Sequence, residues 1–207
     1  RDYYASRGLG DVYKRQGMYG GDIDFFTMKG IAEALLDKAG VYGWDIEASS
    51  EPFGYHPGRC AVLTIGGEEL GVLGEIHPEC AKNYGIAGRV YAMSLDADVM
   101  YKNAQLAKSY KPLPKYPAIT RDLAVICDEN IPVLTLEKAI SSAAGSYLES
   151  LKLFDVYQGK QIEAGKKSVA FSITLRSADS TLTDEQASAT VKRIMKALDK
   201  VGAVLRS

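Results

Sequence analysis

The chain has 207 residues, with 25 basic against 26 acidic side chains and a formal net charge of −1. That balance excludes a globally basic nucleic-acid binder while leaving room for a local basic patch. No apolar run approaches a membrane span and no stretch has the form of a secretory signal, so no membrane partner is expected.

Residues 1–16, RDYYASRGLGDVYKRQ, lack apolar periodicity and are read as a non-native leader outside the fold. The chain then opens abruptly on GGDIDFF, which reads as the middle of a domain and so as the start of a C-terminal portion of something longer. Residues 17–101 form a first block. Asp24 is placed to cap a helix whose Phe25, Met28, Ala32, Leu35, Leu36 and Ala39 share a face, and Gly40 is a natural stop. Trp44 to Ala48 reads as a strand. Cys60 to Ile65 and Glu69 to Ile76 read as a hairpin about Gly66-Gly67. Pro78 to Tyr84 is a short helix, Val90 to Leu95 a strand, and Asp96 can cap a short helix after it.

Residues 102–117, KNAQLAKSYKPLPKYP, hold three prolines and four lysines without a period, and are expected to be a basic linker or extended arm. Residues 118–207 then read as strand, helix, strand, strand, helix, strand. The strands are Arg121 to Cys127, Leu151 to Tyr157, Lys166 to Arg176 and Ala203 to Arg206. The first helix is Pro132 to Gly145. The second starts at a capping box of Thr183 and Gln186 and buries Ala187, Val191, Ile194, Leu198 and Val201. That order is the ferredoxin-like βαββαβ arrangement, an α+β fold with helices on one sheet face only.

Alternation assigns side chains to the two faces. Val169, Phe171, Ile173 and Leu175 must meet the helices, as must Leu123, Val125, Cys127, Phe154 and Val156. The other face receives Ser168, Ala170, Ser172 and Thr174, with Asp155, Tyr157, Asp122, Ala124, Ile126 and Arg206. Small residues around one tyrosine, one carboxylate and one arginine suit a nucleobase. Tyr157 can stack on it, for about 1–3 kcal/mol. Asp155 can accept from a guanine edge and Ser168 can donate or accept, while Lys115, Arg121 and Arg206 can hold phosphates. The competing reading is the ordinary solvated face of a half-buried antiparallel sheet, in a ferredoxin-like module that binds protein and no RNA.

Other chemistry is not expected. His56, Cys60, His77 and Cys80 form H-x3-C and H-x2-C pairs, but both histidines precede proline, and Cys60 opens a strand facing a core, so no metal site is assigned. Gly66-Gly67 is followed by neither a lysine–serine pair nor a helix, so it is no phosphate loop. Arg59 is expected in a structural ion pair. Asp22, Asp24 and Asp37 are too dispersed to hold a metal. No catalytic residue and no bound cofactor are assigned. Three scattered cysteines, Cys60, Cys80 and Cys127, make no disulfide framework and point to a reducing cytoplasm.

The strings YPAITRDLAVICDENI, LFDVYQGKQIEAGKKSVAFSITLRSADSTLTDEQ and GAVLRS closely resemble the ferredoxin-fold anticodon-binding domain that closes the β subunit of bacterial phenylalanyl-tRNA synthetase. DFFTMKGIAEALLDKAGV and HPGRCAVLTIGGEELGVLGEIHPE are similar to the catalytic-like core domain of that subunit, a partial class II synthetase-like antiparallel fold without ATP-binding residues. The resemblance implies an α2β2 heterotetramer that charges tRNA(Phe) with phenylalanine using ATP and Mg2+, with catalysis in the α subunit. It implies anticodon stem-loop contacts from Ala124, Asp155, Tyr157, Ser168 and Arg206. It also leaves the helix from Asp24 to Ala39 free to present Phe25 or Phe26 to the α subunit.

Overall fold

A computed structural model of the chain describes residues 13–105, 107, 110, 113–159 and 161–206. They fall into two compact units that divide between Tyr110 and Lys111. Residues 1–12 of the expected leader (1–16), and parts of the expected linker, lie outside the described residues.

The N-terminal unit is a five-stranded antiparallel sheet in the order β1-β5-β4-β3-β2. Its strands are β1 (Tyr13–Tyr19), β2 (Trp44–Ala48), β3 (Tyr55–Ile65), β4 (Glu68–Ile76) and β5 (Val90–Asp96), and its helices are α1 (Phe25–Ala39), α2 (Pro78–Asn83) and α3 (Ala97–Asn103). The first correction concerns β1. Tyr13 to Gln16 were excluded from the fold, yet they pair with Met93 to Asp96 as part of the edge strand. Their polar composition hides them, because an edge strand with exposed side chains needs no apolar alternation. The second is that α3 runs to Asn103, past the expected boundary at 101.

Helix α1 forms where expected for a local reason. The Asp24 carboxylate accepts from Thr27 N–H at 2.7 Å, and Thr27 closes a capping box back to Asp24. That backbone bond, with the Thr27 hydroxyl, holds the Asp24 carboxyl below its ordinary range. Met28, Ala32 and Leu36 are buried against Leu63, Leu73, Met93 and Leu95. The helix stops at Gly40, whose left-handed φ of 72° suits glycine. Gly66 and Gly67, both at positive φ, turn β3 into β4.

The C-terminal unit is a four-stranded antiparallel sheet in the order β7-β8-β6-β9. Its elements are β6 (Ile119–Asp128), α4 (Val133–Ala144), a 3-10 turn at Gly145–Tyr147, β7 (Leu148–Tyr157), β8 (Lys166–Leu175), α5 (Asp184–Lys200) and β9 (Val204–Leu205). Element order and strand order are those of the ferredoxin-like fold. Strand β9 has two residues rather than the four expected, and β7 begins three residues earlier than expected. The Thr183–Gln186 capping box is present on α5. Leu136, Ile140, Ile194 and Leu198 pack with Leu123, Val125, Val169, Phe171, Ile173 and Leu175 in one buried cluster.

Gly74 on β4 marks the tightest strand approach relevant to β3. A Cβ there would lie 2.5 Å from the Arg59 carbonyl and 2.7 Å from Cys60 Cα, both backbone atoms. Gly74→Ala is therefore expected to destabilise the N-terminal unit by about 1–3 kcal/mol, read as a lower melting temperature, with the C-terminal unit unaffected.

Candidate nucleic-acid interface

The face of the C-terminal sheet away from α4 and α5 is defined by strand register. On β8, Ser168, Ala170, Ser172 and Thr174 alternate with the fully buried Val169, Phe171, Ile173 and Leu175. Across the sheet, Ser168 pairs with Tyr157 on one side and Ile126 on the other. The next row is Asp155, Ala170 and Ala124, and the one after is Lys152, Ser172 and Asp122. Arg206 donates its N–H to the Ala124 carbonyl at 2.8 Å, and its guanidinium Nη1 lies 3.5 Å from Ser168 Oγ. Tyr157, Asp155, Ser168, Ala124 and Arg206 are thus gathered on two adjacent rows of one face.

The surface is a shallow floor with taller edges. Ser168 and Ala170 are buried although they belong to the helix-free face, while Asp155 is exposed and Tyr157 half-buried. The Tyr157 ring leans on Gly159, where a Cβ would come within 2.5 Å of the phenol oxygen. Small floor residues leave room for a planar ring beside the phenol. The Asp155 carboxylate, Ser168 hydroxyl and Arg206 guanidinium supply acceptor and donor groups at its edge.

Two expectations about this surface are corrected, and two of the expected phosphate contacts lie away from Tyr157. Phe154 and Val156 were assigned to the core but are 60% and 46% exposed. A register shift between Leu153 and Asp155 places an extra residue in β7, and β7 is an edge strand of the sheet. Arg121 was grouped with the phosphate contacts, but it pairs with Ile173, on the helix side of the sheet, and its guanidinium lies 3.5 Å from Asp184 at the start of α5. Lys115 is exposed but adjoins Tyr116, whose carbonyl accepts from Arg176 just beyond the other end of β8. The strand from Ser168 to Arg176 spans about 27 Å at roughly 3.4 Å per residue, so Lys115 stands far from Tyr157.

A cation that joins Arg206 on the helix-free face is Lys152, exposed and opposite Ser172. The signal for it lay in the alternation of β7 carried back past the bulge. In the N-terminal unit, the discounted residues have structural partners. Arg59 Nη1 donates to both oxygens of the buried Glu75, at 3.1 and 2.9 Å, and Tyr91 donates to the same carboxylate. His56 Nδ1 accepts from Gly58 N–H, and His77 Nδ1 accepts from Glu79 N–H at the start of α2. Burial raises the Cys60 and Cys127 thiols above their ordinary range.

Residues 114–206 match the family model of the ferredoxin-fold anticodon binding domain, and residues 12–97 match that of the phenylalanyl tRNA synthetase beta chain CLM domain. The chain belongs to the phenylalanyl-tRNA synthetase β-chain family. The curated relatives it matches include the phenylalanine–tRNA ligase beta subunits of Clostridium acetobutylicum, Symbiobacterium thermophilum and Bacillus subtilis. The first is 41% identical over 210 residues, covering 99% of this chain and 26% of the relative. The second is 43% identical over 185 residues, 89% of this chain and 20% of the relative. The third is 38% identical over 185 residues, 89% of this chain and 23% of the relative. The chain therefore spans about a quarter of the length of these β subunits. The match from residue 12 takes in all of β1, in line with its place in the sheet.

Because the Tyr157 ring rests on Gly159, the helix-free face of this β-chain domain can be perturbed without touching the core. Gly159→Ala is expected to shift the Tyr157 ring resonances in an NMR spectrum while changing stability by less than about 0.5 kcal/mol. Unshifted resonances would mean that the ring does not rest there in solution.

Proposed function

We propose that the helix-free face of the C-terminal sheet binds the anticodon stem-loop of tRNA(Phe), and that the chain serves as part of the non-catalytic β subunit of phenylalanine–tRNA ligase. The observation that carries this reading is the two-row cluster in which Tyr157 and Asp155 flank Ser168 and Ala170, with Arg206 reaching in from the opposite edge. A base lies on the small floor against the Tyr157 ring. Asp155 accepts from its Watson–Crick edge, Ser168 and Ala124 border it, and Arg206 and Lys152 serve the sugar–phosphate chain. Arg121 and Lys115 have no part in reading the base.

The N-terminal unit serves assembly with the catalytic α subunit in an α2β2 heterotetramer in the cytoplasm. Phe26, 73% exposed on α1, is the side chain of that helix suited to such a contact. ATP and Mg2+ act at the α subunit. The described residues of this chain bring no three His, Cys, Asp or Glu side chains together to hold an ion. No helix among the described residues is long and apolar enough to cross a membrane.

The rival, a protein-binding module without RNA contact, draws on the exposed Leu153, Phe154 and Val156 of β7. Salt separates the two, since binding through phosphates weakens steeply as salt rises. Tyr157→Ala is expected to weaken binding of the tRNA(Phe) anticodon stem-loop to the full chain by about 1–3 kcal/mol, measured by anisotropy, with the melting temperature unchanged. Unaltered affinity would end the stacking assignment. Asp155→Asn should blur discrimination among anticodon variants more than it lowers overall affinity; an equal loss on every variant would reject its role at the base edge.

A further inference from the structure

Helix α5 carries its charges unevenly. Asp184 and Glu185 occupy its first turn, whereas Lys192, Lys196 and Lys200 follow at successive i,i+4 positions with Arg193 alongside. Residues four apart are neighbours on a helix surface, so Lys192–Lys196 and Lys196–Lys200 are like-charge pairs that weaken the helix. None of the three lysines takes part in an ion pair among the described residues. Favourable interaction with the helix dipole accounts for a cation in the last turn, which is Lys200, but not for Lys196 or Arg193 higher up.

Three of these cations line a groove of about 370 Å³ between α4 and α5, floored by Ala139, Ser142 and Ala143. Lys192 borders a different depression with Asp184 and Glu185, and Asp199 lines the depression on the Leu123 side of α5, which Lys196 also borders. Among the described residues, no carboxylate lines the groove itself. Arg193 is held in place, donating from Nε to the Ala143 carbonyl at 3.3 Å and from Nη2 to Thr190 Oγ1 at 3.1 Å. A guanidinium fixed in this way loses little freedom on meeting an anion. Because α4 and α5 both pack on the helix side of the sheet, the groove opens on the side of this unit away from the reading face.

We infer that this groove binds the phosphodiester backbone of RNA, at a place separate from the base-reading face. A protein partner would need an aromatic or aliphatic anchor and a pocket for it, and the floor here offers only alanine methyl groups and a serine hydroxyl. A phosphate chain needs only cations and donors in a row, without sequence choice. The inference rests on the proposed RNA role for the choice of polyanion alone. The groove contributes affinity and leaves the choice of base to Tyr157 and Asp155.

The test titrates the full chain with a single-stranded oligouridylate across a salt series, followed by anisotropy. Lys196→Gln with Lys200→Gln is expected to weaken binding on the order of tenfold at low salt. The same pair should reduce the slope of log affinity against log salt by about 1.4, at roughly 0.7 for each single-strand phosphate that the variant no longer neutralises. The melting temperature of this double variant should stay close to wild type, because relief of like-charge repulsion offsets the lost dipole interaction of Lys200, so weaker binding would not reflect unfolding. Tyr157→Ala should keep the wild-type slope. An unchanged slope and affinity in the double variant, or no binding of oligouridylate at all, would overturn the inference. So would binding of oligoglutamate in place of oligouridylate, which would point to an acidic protein. The base-reading proposal fails separately, if Tyr157→Ala retains full affinity for the anticodon stem-loop.

Discussion

The C-terminal unit depends on one constraint: both helices cover the same face of a four-stranded sheet. Val169, Phe171, Ile173 and Leu175 of β8 have no exposure at all, because Leu136, Ile140, Ile194 and Leu198 close over them. Each such side chain contributes roughly 1.5–3 kcal/mol by leaving water, so register cannot slip by one residue without turning the apolar set outward. The same alternation dictates what stands on the reverse side. Ser168, Ala170, Ser172 and Thr174 are held there by the burial of their neighbours, and the small-residue floor of the helix-free face is a by-product of the core.

Much of this was legible in the sequence because the signals were local and reinforced one another. The Thr183–Gln186 box and the Asp24 cap, the Gly40 stop and the Gly66-Gly67 turn each carry their own chemistry, and each lies where the residues placed it. The face assignment of β8 followed from strict period-two alternation. What was not legible depended on context. Tyr13 to Gln16 have no apolar pattern, and only pairing with β5 reveals them as strand. Phe154 and Val156 look like core residues, but a register shift in an edge strand leaves both exposed. Arg121, by contrast, shares the parity of Leu123, Val125 and Cys127, and register keeps it on the helix side, opposite Ile173.

The N-terminal unit shows how ionic groups can serve the fold itself. Glu75 lies opposite Tyr91 in the register of its sheet and is almost wholly buried. A carboxylate there is costly unless its lone pairs are satisfied. Arg59 meets both oxygens, Tyr91 adds a third hydrogen bond, and Arg89 stands 3.9 Å away. The HPGR and GEIHPE strings, which invite a ligand reading, thus lock β3 to β4. Chemistry-bearing residues in one unit hold strands together, and in the other they stand where a ligand could meet them.

The central claim is that a base lies against the Tyr157 ring on the helix-free face. It is tested most directly by placing a photoreactive 4-thiouridine in the anticodon of a tRNA(Phe) stem-loop, crosslinking it to the full chain, and sequencing the attached peptide. The account predicts attachment within Phe154 to Gln158 or at the neighbouring β8 residues Ser168 to Ala170. Attachment of that base to α4, α5 or the N-terminal sheet would contradict it.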